Sequence, residues 1–429
     1  MNKITLFLRP CVWATVAAVL ILAQRPVFSL TLNEAIGLAK KNLPSYKVSH
    51  IRVRSSEALY KASLSPYLPE LDAWASRTHE LESLDQYSSR HYDVSLYYTL
   101  FDWGKRKANR SIARLNLETE QEGMRNAYID LALDVKVAFY TVIARDEIVE
   151  QRRIQLRDAS KDFEIAQGRH KHGMAKLSDV LQASVRLEQA RFNLTRAEGG
   201  FRKSLVELNS LIGRPLDQEY DAQGSIDQGV TLPPWEELAY FAVKRPEIRQ
   251  AEYSLGIAEN NEHLVISEFF PTFSADLSHG RTDFADSVNG TDELNTARLT
   301  ATWNIFELGK FYRNRSSKYD IKAAQEDIDE LKRQFLLDLR RTYEDVVTAD
   351  KNIAVARQQL KEANHNYSQA FGEYKAGKSD ILLLVQAESA LAIARVQFTS
   401  AKLDLTVSKA LLERQAAVEN LDQPLRSIE

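Results

Sequence analysis

His170-Lys-His-Gly173-Met-Ala-Lys-Leu-Ser-Asp179-Val-Leu-Gln-Ala183 and Tyr374-Lys-Ala-Gly377-Lys-Ser-Asp380-Ile-Leu-Leu-Leu-Val-Gln-Ala387 are two versions of one segment. Gly173 stands 204 residues before Gly377, Gln182-Ala183 the same distance before Gln386-Ala387, and Arg191 before Arg395. In each version a glycine among polar residues interrupts one helical pattern and a second pattern follows. That predicts an antiparallel helical hairpin turning at the glycine.

The arms of these hairpins are long. The stretches from 105 to about 170 and from 310 to about 374 are rich in Ala, Leu, Arg, Glu and Gln, the better helix formers. Apolar residues recur at three- and four-residue steps, as in Ile321, Ala324, Ile328, Leu331 and Phe335, giving one apolar stripe. A helix of ~65 residues is ~100 Å long at 1.5 Å per residue. Such a helix belongs to a coiled coil or a helical barrel wall, not to a compact globular domain. The return helices are expected at 178–212 and 380 to about 418.

Upstream of each hairpin the period changes to two. Tyr92, Val94, Leu96, Tyr98 and Leu100 alternate with Asp93, Ser95, Tyr97 and Thr99; Leu299, Ala301, Trp303 and Ile305 alternate with Arg298, Thr300, Thr302 and Asn304. Phe273, Ala275 and Leu277 alternate with Ser274, Asp276 and Ser278, and Leu71, Ala73 and Ala75 do so more weakly with polar neighbours and Trp74. Each reads as a strand with an apolar and a polar face. The flanking helices already partner each other's stripes. The apolar face is therefore expected to meet lipid, with the polar face on a water-filled lumen and Trp303, Trp103 and Tyr98 in an aromatic girdle. A soluble sheet on a core is the alternative. Four strands cannot close a membrane barrel, so a membranous reading requires subunits to share one.

Proline placement gives the organisation. Pro44 and Pro246 lie 202 residues apart, as do Pro69 and Pro271; Gly104-Lys105 and Gly309-Lys310 lie 205 apart. The change of offset predicts a three-residue insertion at the second strand pair. The expected map is a signal peptide at 1–29, a first repeat at 30–213 (strands about 69–101, helical hairpin about 105–212) and a linker at 214–234. A second repeat follows at 235–418 (strands about 271–306, hairpin about 310–418), with a C-terminal tail at 419–429. The signal reading rests on Lys3, Arg9 and the uncharged run 11–23, with a cut after Val27-Phe28-Ser29; an uncleaved anchor is the alternative. After that segment, no apolar run of membrane-spanning length is expected.

The formal charge of the 429-residue chain is −3, from 56 Lys and Arg against 59 Asp and Glu. Losing Lys3, Arg9 and Arg25 takes it to −6, and no basic block suggests nucleic acid. Cys11 is the one cysteine and lies inside the signal, which excludes disulfides and thiolate metal sites from the mature chain. No cofactor, metal site or catalytic residue is expected. His170 and His172 read as polar surface, and His79-Glu80 lacks the second histidine of a zinc protease motif. There is no phosphate loop and no nucleophile in a recognisable setting.

The exported start, Leu32-Asn33-Glu34-Ala35-Ile36, the duplicated order and above all the two tip segments resemble the TolC family of outer-membrane efflux and secretion factors. The resemblance implies an α+β membrane protein built from a duplicated helix–β-hairpin–helix–helix unit. As a homotrimer it would form a 12-stranded outer-membrane β-barrel continued by a long periplasmic α-helical barrel. It implies the outer membrane of a Gram-negative bacterium, with outer-membrane lipid, a periplasmic adaptor and an inner-membrane transporter as partners. The function implied is the exit duct of a tripartite efflux pump or type I secretion system. A periplasmic coiled-coil scaffold or adaptor protein is the alternative.

Carried over by position, Gly173, Met174, Ala175, Gly377, Lys378 and Ser379 match the adaptor-facing tip, and Asp179 and Tyr374 the network that holds the tunnel closed. The basic residue expected two positions after the second tip glycine is replaced by Ser379, with Lys378 or Arg169 as substitutes. The acidic constriction ring maps to Leu383 and Gln386, leaving Asp380 as the nearest acid. The lipid-facing set is Tyr92, Val94, Leu96, Tyr98, Leu299, Ala301, Trp303 and Ile305.

Overall fold

A computed structural model describes residues 28–81, 86–226, 229, 231–284, 290–418 and 421. In chain order the elements are β1 (Phe28–Leu30), α1 (Leu32–Asn42), α2 (Pro44–Ala62), β2 (Glu70–Leu81), β3 (Gln86–Phe101), α3 (Lys105–Lys171) and α4 (Leu177–Ile212). Then come β4 (Tyr220–Ala222), α5 (Trp235–Ala242), α6 (Pro246–Ser267), β5 (Thr272–Phe284), β6 (Thr291–Thr302), α7 (Leu308–Lys375) and α8 (Ile381–Ala416). The chain divides into two compact units. The first comprises Met1–Leu43, Leu131–Val230 and Glu344–Leu411, and the second Pro44–Asp130, Thr231–Tyr343 and Leu412–Glu429. Helices α3, α7 and α8 contribute to both.

Local signals explain the element starts. Thr31 and Glu34 form a reciprocal capping box at α1. Pro44 and Pro246 each occupy the first position of a helix, where the missing N–H costs nothing.

In the first unit the long helices pack as hairpins through small residues. Ala159, Leu187 and Ala190 form a core with Leu156 and Phe163 between α3 and α4. Ala363, Leu391 and Ala394 do so with Leu360 and Tyr367 between α7 and α8. Every member of the first set lies 204 positions before its counterpart, so the repeat is one of packing as well as of sequence. Alanine at these seams lets the helix backbones approach closely.

The second unit carries an antiparallel sheet in the order β2-β3-β5-β6, open at both edges. Leu71 faces Leu96 in the first strand pair, and Phe273, 202 residues on, faces Ala301, 205 residues after Leu96. The three extra residues therefore fall between the second pair's strands, leaving its register intact. The basic pair at the strand-to-helix junction needs a different alignment from Gly104-Lys105 with Gly309-Lys310. Arg106 donates to the carbonyls of Pro66 and Thr99, and Lys310 donates to those of Glu268 and Asn304. Arg106 and Lys310 are thus the equivalent struts, 204 apart. Gly104 precedes α3 at a φ of +86°, whereas Gly309 is helical.

Other expectations need correction. Trp303 and Ile305 lie beyond the end of β6 at Thr302, so neither is a strand residue. Trp303 is instead tied down by its indole N–H, which donates to the Phe269 carbonyl. The 214–234 linker contains β4, which pairs in parallel with β1. A three-residue strand is too short to show periodicity. Most of the 1–29 signal lies outside the described residues, but Phe28 and Ser29 pair with Tyr220 and Asp221. A cut after Ser29 would remove two of the three rungs of this pairing. Among the described residues one helix, α8, is long and apolar enough by composition to cross a membrane, contrary to the expectation. Its apolar residues Ile381, Leu384, Ala387, Leu391 and Ala394 are buried by helix packing, while Leu382, Leu383 and Ile393 are exposed.

Candidate functional site

Two places concentrate the expected functional residues: the hairpin tips of the first unit and the sheet of the second.

The tips are built alike. Gly173 and Gly377 have φ of +71° and +75°, the left-handed conformation that side chains resist. At the first tip the Met174 N–H bonds to the Arg169 carbonyl and the Gly173 N–H to that of His170. At the second, Lys378 bonds back to Glu373 and Gly377 to Tyr374. Both are Schellman caps, which satisfy the last helical carbonyls and reverse the chain. Gly173, Met174, Gly377 and Lys378 are exposed, while Ala175 and Ser379 are half-buried.

Tyr374 is fully buried in a cluster with Ile381 and Leu384, against Ile165 and Phe371. Its hydroxyl has no hydrogen-bond partner, so no bond joins it to Asp179. Burial raises its pKa above the ordinary phenol range, opposed by Arg169. The cation beside it is Arg169, whose guanidinium carbon stands 4.5 Å from the ring centroid. Arg169 also donates to the Tyr374 carbonyl and to the Met174 carbonyl, the latter at 3.3 Å. One side chain thus touches both tips. Asp179 is half-buried beside Ser178, and Asp380, Leu383 and Gln386 are exposed on or just before α8.

Behind the tips, polar groups cross between helices. Lys402 on α8 donates to both Glu147 oxygens on α3, at 2.6 and 2.8 Å, and Arg395 pairs with Asp158 at 3.2 Å. Gln155 donates to Glu388 at 3.1 Å, and the Tyr367 hydroxyl reaches Asp162 at 3.5 Å. Burial, reinforced by the charges of Glu388 and Asp158, pushes the Asp162 carboxyl up to about 7. Burial also raises Glu388, with Gln155 and Arg186 opposing. None of these groups stood out in the sequence, because a buried acid and a solvated one look the same on a helix of mixed charge.

Pairing across the sheet aligns Leu71, Leu96, Leu277 and Ala297 in one row, with Tyr98, Ala275 and Leu299 in the next. Val94 and Tyr92 continue that face towards the hairpin loops, where Arg90, Arg77, Arg281 and Glu293 take over. The opposite face carries Asp72, Ser95, Ser278 and Thr296 in register, then Glu70, Tyr97, Asp276 and Arg298. Trp74 and Leu294 are apolar exceptions on this polar face. On the apolar face Leu71, Leu277 and Leu299 are 70%, 52% and 79% exposed, which a soluble sheet with a core beneath it would not permit. Aromatic rings gather at the helix end of the sheet. Trp103 stacks on Phe270 at 4.5 Å and donates to the Pro271 carbonyl, and Phe269 packs edge-on against Phe311. Among the described residues, no group of three or more His, Cys, Asp or Glu side chains could hold a metal ion.

An open sheet with an exposed apolar face and duplicated hairpins of very long helices defines the TolC-like outer-membrane channel fold. Residues 35–214 and 241–417 match the sequence model of the outer membrane efflux protein family, and the chain belongs to that family. It is 26% identical over 387 residues to the pyoverdine export outer membrane protein OpmQ of Pseudomonas aeruginosa, covering 83% of this chain and 79% of that one. It is 24% identical over 428 residues to the alkaline protease secretion protein AprF of the same organism, covering 94% and 87%. Protein CyaE of Bordetella pertussis is 25% identical over 377 residues, covering 84% and 78%. Among solved structures, the CusC channel superimposes with a TM-score of 0.79 at 17% identity, covering 90% of this chain and 91% of that one. The outer-membrane channel OprN does so at 0.77 and 17%, covering 90% and 89%. The protein is an outer-membrane exit channel for efflux or secretion, as the tip segments led one to expect, and the free-standing scaffold reading falls.

Proposed function

We propose that three copies close a twelve-stranded barrel in the outer membrane and continue it inward as a helical tunnel. This conduit would receive cargo from an inner-membrane transporter through a periplasmic adaptor. The observation that carries this reading is the sheet: four strands, two unpaired edges and an apolar face left exposed among the described residues. Unpaired edges and exposed apolar surface are both costly, and closure with other copies in lipid removes both costs. The face of Leu96, Val94, Tyr92, Tyr98, Leu299 and Ala301 meets lipid, and the face of Ser95 and Thr300 lines the lumen. The aromatic cluster around Trp103, with Trp303 near it, sits at the inner membrane–water boundary.

The turn residues Gly173, Met174, Gly377 and Lys378, all exposed, form the adaptor-docking tip together with the half-buried Ala175 and Ser379. Arg169 and Tyr374 hold the tip closed, and Leu383 narrows it as an apolar constriction, with Gln386 one turn further along and Asp380 better solvated. Chemical crosslinking of whole cells, followed by purification of this chain, tests the reading. Crosslinks from the tip residues to an adaptor protein support it. Crosslinks to the adaptor solely from the sheet's hairpin loops overturn it.

A further inference from the structure

A second feature of the first unit lies outside the tips. Helices α3, α4 and α8 enclose a cleft of about 570 Å³, within the usual size range of small-molecule sites. Arg145, Arg152, Arg196 and Lys203 line it, against a single carboxylate, Glu207. Arg145, Arg196 and Lys203 make no hydrogen bond or ion pair among the described residues. That contrasts with the cations elsewhere along this wall, where Lys402 and Arg395 each hold a carboxylate.

Like charges gathered in a concave site repel one another unless an anion joins them. Arg152 feels this: burial lowers its pKa from the ordinary guanidinium range, with Glu388 offsetting and the nearby charge of Arg196 adding to the effect. It keeps one neutral partner, the Gln155 side-chain oxygen at 2.7 Å.

Independently, Gly199 and Gly200 form part of the cleft wall inside α4. Two glycines weaken a helix interior. Packing does not require them, since a Cβ added at either meets nothing within 4 Å. They leave that stretch of the cleft wall without side chains.

We propose that this cleft binds a small solute carrying two or more anionic groups, carboxylate or phosphate, through Arg145, Arg152, Arg196 and Lys203. As a cargo site it rests on the conduit reading; as an anion site it does not.

The test uses the full-length protein purified in detergent and citrate as the probe, with isothermal titration calorimetry as the readout. Citrate should bind the unaltered protein. The double variant Arg196→Ala/Lys203→Ala, at exposed positions outside the tip, should weaken binding roughly tenfold or more, because two charge-assisted contacts are lost. Lys318→Ala/Lys361→Ala, a control of equal charge at exposed positions away from the cleft, should leave it unchanged. Absence of citrate binding, or equal weakening by both pairs, overturns the proposal. So does a variant whose only change is in oligomeric state, since the cleft would then be a contact between copies. Ion conductance of the same preparations in planar bilayers is read separately: a protein that binds citrate but never conducts would refute the conduit and spare the anion site.

Discussion

Arg169, near the end of α3, lies over the ring of Tyr374, near the end of α7, at 4.5 Å from its centroid, and also donates to the Tyr374 backbone carbonyl. The two residues come from the two repeats and are 205 positions apart, so the contact fastens one hairpin tip to the other. A cation on a buried ring and a charged hydrogen bond together contribute on the order of 2 to 4 kcal/mol.

Arg169→Ala should therefore loosen the tip without affecting folding of the sheet. The expected result in planar bilayers is a higher open-state occupancy than for the unaltered channel. Arg169→Lys should restore little, since an ammonium cannot reach ring and carbonyl with a planar fork. Unchanged conductance in both variants would remove Arg169 from the closing contacts.

Gly173→Leu and Gly377→Leu should abolish export while leaving membrane assembly intact. Each side chain would be forced into a left-handed conformation, at a cost of about 1 kcal/mol or more, on the exposed surface proposed for docking. Export assays alongside outer-membrane fractionation check this. Full export by both variants would exclude the tips as the docking surface.

The sheet's two faces should respond differently to charge. Leu96→Arg or Leu299→Arg should impair assembly by about 2–4 kcal/mol if near the bilayer midplane, whereas Ser95→Arg and Thr300→Arg should be tolerated. The yield of assembled protein in the outer-membrane fraction reads the difference. Equal tolerance on the two faces would sink the lipid-facing assignment.

A pH dependence follows from Asp162. Its pKa is raised from 3.8 to about 7, chiefly by burial, so the folded protein holds that proton more tightly than the unfolded chain does. The stabilisation is complete below pH 3.8 and is lost as pH rises towards about 7. Thermal unfolding of the helical unit should thus show a contribution on the order of a few kcal/mol that fades over this window. Asp162→Asn should flatten it. An identical pH profile in the variant would show that Asp162 ionises as freely in the folded protein as in the unfolded chain.

Much of this architecture was legible because it is repetitive. Gly173 and Gly377 announce their turns by residue type, and the alternation around Leu96 and Leu299 reads directly as a two-faced strand. Where the reading stopped short, the reason is physical. Trp303 and Ile305 continue the alternation past Thr302, yet pattern alone does not say where pairing ends. Arg106 and Lys310 are equivalent through the carbonyls they hold, not through the glycine–lysine pairs that look alike. The β1–β4 pairing joins segments roughly 190 residues apart through backbone groups, which carry no side-chain signature. At the tips, Tyr374 could be singled out by resemblance, but its burial and its contact with Arg169 depend on how the helices pack.

On the proposed function, three copies of this chain share one barrel in the outer membrane. Native mass spectrometry of the protein extracted from outer membranes in mild detergent tests it most directly. A complex of three chains that persists until heated is expected. A monomer, or a protein released from the membrane fraction by salt without detergent, would contradict it.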